Sequence, residues 1–240
     1  MSKAFVVISA MFILNAQAQS VESKETPEQV AQINYLKGAM QKEIWSIILT
    51  DTFELQLQEL KDGVIFKEEG KHSILKYQEL MTEICVQEKV SSCPEAFFTR
   101  KKNIPVASMY PNGKMYLNID VIDRLTDDEV YFSIAHEMGH FINQDSLKKT
   151  IFMANQIVDN GLMVADMDKW VAASFMVPGM REYHHKVEDA ADQFAVKYMK
   201  KNKKTIDCEL MFKKMLGEEK ASTEQHDGVE ERCKKIEENK

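Results

Sequence analysis

The run IAHEMGH places His136, Glu137 and His140 in an apolar stretch that reads as helix. No other feature constrains the chain as much. Histidines at i and i+4 lie one turn apart on a single helical face. Two imidazoles placed that way can bind one metal ion from the same side. The glutamate beside the first histidine can then reach a water on that metal and act as general base. The alternative is a helix whose two histidines fall one turn apart by chance, and the flanking residues weigh against it. TDDE at 126–129 supplies an N-cap and acidic first-turn residues that suit the helix dipole. Val130, Ile134, Met138 and Phe141 form an apolar face. Gly139 allows another backbone to come close, at some cost in helix propensity.

A hydrolytic zinc site needs a third protein ligand and leaves the fourth position open. KVEDAADQFAVKYMKK reads as a second amphipathic helix, with Val187, Ala190, Ala191, Phe194, Ala195 and Tyr198 apolar. Glu188 and Asp192 sit at i and i+4 on it and can face the same way. Glu188 would complete the ligand set. Asp192 would accept a hydrogen bond from a ligand imidazole, fixing its tautomer and raising its basicity. A solvated acidic face is the alternative. The small Ala190 and Ala191 beside these carboxylates, and the HExxH helix before them, favour the site. The expectation is one Zn2+ per chain, held by His136, His140 and Glu188.

HEMGH followed by EDAAD resembles the zinc metallopeptidase family that contains the CAAX prenyl protease and the bacterial HtpX and BepA peptidases. The pattern there is HExxH, a variable gap, then ExxxD. VASMYPNGKMYLN at 106–118 is similar to that family's edge strand, tight turn and second strand ahead of the catalytic helix. STEQHDGVEER at 222–232 is similar to its closing segment, in which a histidine precedes an arginine by six residues, as His226 precedes Arg232. The resemblance covers roughly residues 95–235. It departs at Val106, where asparagine is usual, at His226-Asp227 in place of His-Pro, and at His185 in place of an arginine. None of these removes an expected ligand. The resemblance implies a peptidase of the α+β class, mostly α. The domain would be zincin-like, with a small β-sheet beside the HExxH helix. It further implies a peptide or unfolded-protein substrate lying along the strand at 104–109, and His226 and Arg232 as candidate helpers at the oxyanion. A chaperone-like or latent zinc-binding module is the other reading, with His226 able to close the open metal position.

Residues 1–18 read as a signal peptide: Lys3, the apolar AFVVISAMFIL, then Ala16-Gln17-Ala18 as a cleavage site. The expected organisation is this segment, an N-terminal helical part at 19–94, and a metallopeptidase core at 95–240. The product would be exported, to a periplasm or outside the cell. The formal net charge is -7, and removing Lys3 makes it more acidic, which disfavours nucleic acid as partner. No later apolar run is long enough to cross a membrane, so stable membrane insertion is not expected. Cys85, Cys93, Cys208 and Cys233 suit an oxidising compartment. Four cysteines allow three pairings, of which the sequence-local one closes the smallest loops. A cysteine zinc site is the rival reading, without a CxxC spacing to support it. By the resemblance, a Cys208–Cys233 bridge would hold Arg232 near the metal.

Helices are expected over 26–49, 73–87, 146–160 and 165–177 besides the two at the site. Short strands are expected in EAFFTR, IPVASMY and KMYLNI, with Pro111-Asn112-Gly113 as a hairpin turn. His184 and His185 read as a helix start near the surface. The Lys-rich KKNKK and the closing KKIEENK read as solvated ends.

Overall fold

The computed structural model describes residues 26–69, 72–100, 106–159, 179–216 and 228–239. The expected signal peptide, the strand start at 104–105, the helix expected over 165–177 and His226 lie outside the described residues.

Helix α1 (Pro27–Lys61) opens on Thr26. The Thr26 hydroxyl accepts from the Gln29 N–H, and the Gln29 side chain accepts from the Thr26 N–H. The helix continues well past the expected end, because FELQLQELK keeps supplying good helix formers. It ends at Gly63, whose φ of 68° is open to a residue without Cβ. The short strands β1 (Ile65–Phe66), β2 (Glu68–Glu69) and β3 (His72–Ser73) follow. Helix α2 (Ile74–Gln87) is capped by the Ser73 hydroxyl. Strands β4 (Glu95–Thr99), β5 (Ala107–Met109) and β6 (Lys114–Asn118) precede a short α3 (Ile119–Ile122). Helices α4 (Asp127–Ile142), α5 (Asp145–Asp159), α6 (Met180–Lys201), α7 (Cys208–Leu216) and α8 (Val229–Glu238) complete the described elements. The fold is α+β and mostly α, with one small mixed sheet. None of the described helices is long and apolar enough to cross a membrane.

The chain divides into two compact units, residues 1–48 with 147–180 and residues 49–146 with 181–240. In the first, Lys37 and Asp159 form an ion pair at 2.7 Å, and Leu36, Ile44, Met153 and Ile157 are buried. The second contains the sheet, α4 and α6.

The four-stranded sheet has the order β1-β4-β6-β5. Strand β4 runs parallel to β6, and β5 runs antiparallel to it. The β5–β6 hairpin turns where expected, with Gly113 at a φ of 75°. Helix α4 owes its start to a capping box in which Thr126 and Glu129 satisfy each other's backbone N–H groups. The sequence suggests one apolar face for α4. Instead every residue from Glu129 to His136 is buried, as are Met138 and Gly139. The helix runs through the core with α2 and β5 packed on it, and α6 meets it at Gly139. A Cβ on Gly139 would lie 3.2 Å from the Ala191 Cα and 3.2 Å from the Phe194 Cβ. Ala191 adjoins Asp192, so this contact sets how far the second carboxylate helix stands from the histidine helix.

Three local expectations change. Ala190 is exposed rather than apolar-facing. His184 is buried, because one turn before Glu188 it shares that residue's inward side. The closing KKIEENK is largely helical and buries Ile236, while Lys204 of KKNKK pairs with Asp128 at 2.7 Å. Each stretch is thus anchored in places, while Lys200, Lys201, Lys203, Lys234, Glu237 and Glu238 are exposed as expected.

Gly139→Val should lower stability by roughly 2 kcal/mol, the usual cost of forcing volume into a close backbone contact. Urea denaturation reads this. An unchanged midpoint would mean that the α4–α6 spacing can relax.

Candidate active site

One turn of α4 carries three of the expected site side chains. His136 is buried, and Glu137 and His140 are half-buried. Ligand atoms of all three fall within 4.8 Å of one another. The two Nε2 atoms are 3.1 Å apart. Glu188, from α6, places one carboxylate oxygen 3.2 Å from the Nε2 of His136 and the other 3.3 Å from that of His140.

Each imidazole is held from its other side. The Nδ1 of His136 lies 2.8 Å from Asp192 Oδ1. The Nδ1 of His140 lies 2.8 Å from Asp145 Oδ2. A carboxylate accepts only, so each Nδ1 carries the proton and each Nε2 turns a lone pair inward. Two nitrogen lone pairs and two carboxylate oxygens then converge with no donor hydrogen among them. That set calls for a cation at its centre, and imidazole with carboxylate is a donor set that zinc takes. Without one, protons are drawn in. Burial alone would lower both histidine pKa values, but hydrogen bonds to the carboxylates overcome it. His136 is raised by Asp192 and Glu188, and His140 is pushed up to about 10 by Asp145 and Glu188.

Asp192 is the buried counterpart of this pair. Burial would raise its pKa, but the charge of Arg232 and the hydrogen bonds from His136 and Arg232 hold it at about 2. Arg232, on α8, grips it in two places, Nε to Oδ2 at 2.6 Å and Nη2 to Oδ1 at 2.8 Å. The guanidinium also lies over the Phe212 ring, 4.7 Å from its centroid, and 3.8 Å from Glu188. The next residue, Cys233, is bonded to Cys208, which ties α8 to α7. Cys85 pairs with Cys93, so both bridges join sequence neighbours, and no described cysteine is free.

The Glu137 carboxylate meets the sheet. Its Oε2 accepts from the Met109 N–H at 2.6 Å. Tyr110 and Val106 pair with β6, so Ala107 and Met109 turn their backbone groups to the outer side of β5. Strand β5 is an edge of the sheet, and Glu137 stands beside that edge.

Every expected site residue among the described ones thus comes to one place: His136, Glu137, His140, Glu188, Asp192 and Arg232. Two participants were missed, Asp145 and the Met109 N–H. Five residues after His140 is off its helical face, so no periodicity points to Asp145. A backbone donor leaves no trace in side-chain identity.

A mostly helical fold with a small mixed sheet, and a His-Glu-His cluster on its central helix, is the build of a metallopeptidase. Residues 75–240 match Peptidase family M48, and the chain belongs to that family. The match begins earlier than the resemblance in motifs and takes in nearly all of α2. Neither a curated protein nor a solved structure matches the chain.

The Asp192 pKa sets an acid limit. A carboxylate whose pKa is depressed on folding contributes stability above its unfolded pKa near 3.9 and loses it as pH falls through about 2. The metal-free protein should therefore lose roughly 2 kcal/mol from this group between about pH 4 and pH 2. Replacing both charges (Asp192→Asn with Arg232→Met) should flatten that limb in denaturation series across pH. An equally steep limb in the double variant would place the acid sensitivity elsewhere.

Proposed function

We propose that the chain is a zinc-dependent endopeptidase that cleaves unfolded or misassembled exported proteins. The observation that carries this is the convergence of two Nε2 lone pairs and the two Glu188 oxygens, beside a glutamate held at a sheet edge. His136, His140 and Glu188 would hold one zinc ion, with Asp192 orienting His136. Zinc, when bound, supplies a water with a pKa near 7 and polarises the scissile carbonyl.

Glu137 would serve as general base, taking a proton from the attacking water on its carboxylate and returning it to the leaving amine. The Met109 N–H holds one carboxylate oxygen, which leaves the other for the proton. The substrate adds as a strand along β5, pairing with the outward backbone groups of Ala107 and with the Met109 carbonyl, since the Met109 N–H is held by Glu137. Backbone pairing tolerates many side chains, which suits unfolded substrates. The Arg232 guanidinium is committed to Asp192, so its contribution is to hold the Asp192–His136 pair. His226 remains the candidate helper at the oxyanion. The reading of residues 1–18 as a signal peptide and the two disulfides fit export to a periplasm or beyond.

The purified protein should digest a casein-type substrate, and a chelator should stop it. Glu137→Gln should keep zinc and the fold but lose at least about 100-fold in turnover, since an amide cannot take the proton. His140→Ala should lose stoichiometric zinc in metal analysis. Zinc without turnover in the wild type would favour a latent, chaperone-like module. Undiminished turnover in Glu137→Gln would remove the general-base role.

A further inference from the structure

Helix α4 ends at Ile142, and Asn143 caps it with its N–H on the Gly139 carbonyl. Gln144 then takes a φ of 57°, and α5 begins at once on Asp145. Residues five apart on an unbroken helix lie roughly 140° apart around its axis and cannot meet. The break at 143–144 swings Asp145 back under His140, where its Oδ2 reaches Nδ1 at 2.8 Å. We propose that Asp145 is the positioning residue of His140, set in place by the left-handed turn at Gln144. This rests on the reading of His136, His140 and Glu188 as zinc ligands.

Burial separates this from the ordinary use of aspartate in a first helical turn. A carboxylate serving only the helix dipole sits in water, whereas Asp145 is buried at 9% exposure. The left-handed residue at Gln144 is the cap with which α2 and α6 also end, at Lys89 and Lys203; here the chain enters the next helix at once, and that brings Asp145 under His140. The two ligand histidines are thus secured by different means. Asp192 reaches His136 across 56 residues of sequence, and Asp145 reaches His140 from within the same segment. Each fixes the tautomer that turns Nε2 inward.

The test uses the whole chain and two readouts. In the metal-free protein, a hydrogen-bonded Nδ1–H proton of His140 should give a downfield resonance, assigned by its loss in His140→Ala. Competition with a chromophoric chelator gives zinc affinity. Asp145→Ala should lose the resonance and weaken zinc by about 10- to 100-fold, with the far-UV circular dichroism of the metal-free chain unchanged. Asp145→Asn, whose amide oxygen still accepts, should keep the resonance and recover most of the affinity. Gln144→Gly should keep both. Unchanged zinc affinity or a retained resonance in a folded Asp145→Ala overturns the proposal. If that variant does not fold, a folded Asp145→Asn that loses both readouts overturns it, and one that keeps both supports it. If the wild type binds no zinc yet the resonance depends on Asp145, the zinc reading fails and the positioning of His140 stands.

Discussion

The site depends on a charge kept inside the protein. An isolated buried carboxylate costs several kcal/mol to desolvate. Asp192 is ionised there because two other helices bring it donors: the Nδ1 of His136 from α4, and the guanidinium of Arg232 from α8. Losing one partner of such a pair typically costs about 3–5 kcal/mol, because the other is left buried and unmatched. The Phe212 ring and the Cys208–Cys233 bridge hold Arg232 in turn. A line of contacts therefore runs from a disulfide through an arginine and an aspartate to the first histidine. Through its neighbour Arg232 the bridge keeps that histidine's support in register.

The other active groups are each held by a different element. His140 takes its support from the start of α5, and Glu137 takes its support from the backbone of β5. Glu188 arrives on α6, whose distance from α4 is set where Gly139 meets Ala191 and Phe194. Helices and a strand supply every contact, so the geometry is set by packed elements rather than loops. The same arrangement brings the sheet edge beside Glu137.

Much of this was legible in residue order. HExxH and ExxxD are helical spacings, and helical periodicity alone puts His136 with His140 and Glu188 with Asp192 on shared faces. Thr126 and Glu129 announced the start of the histidine helix, and Gly139 announced a close approach. Near neighbours among the cysteines paired, as the smallest loops suggested. The tail misled, because Lys-rich composition hid Ile236, and a single apolar residue inside a charged run carries no visible period. Ala190 and His184 misled because a helix's inward direction is chosen by what packs on it.

The sequence by itself determined which side chains share a helical face, since that follows from the fixed rise and turn of the backbone. Only the tertiary structure decided which faces meet. It alone brought Arg232 onto Asp192 across 40 residues of sequence, turned the Met109 N–H toward Glu137, and broke the helix at Gln144 so that Asp145 could reach His140. These contacts depend on packing distances, strand register and one backbone torsion, and none of those quantities is written in the period of a residue pattern.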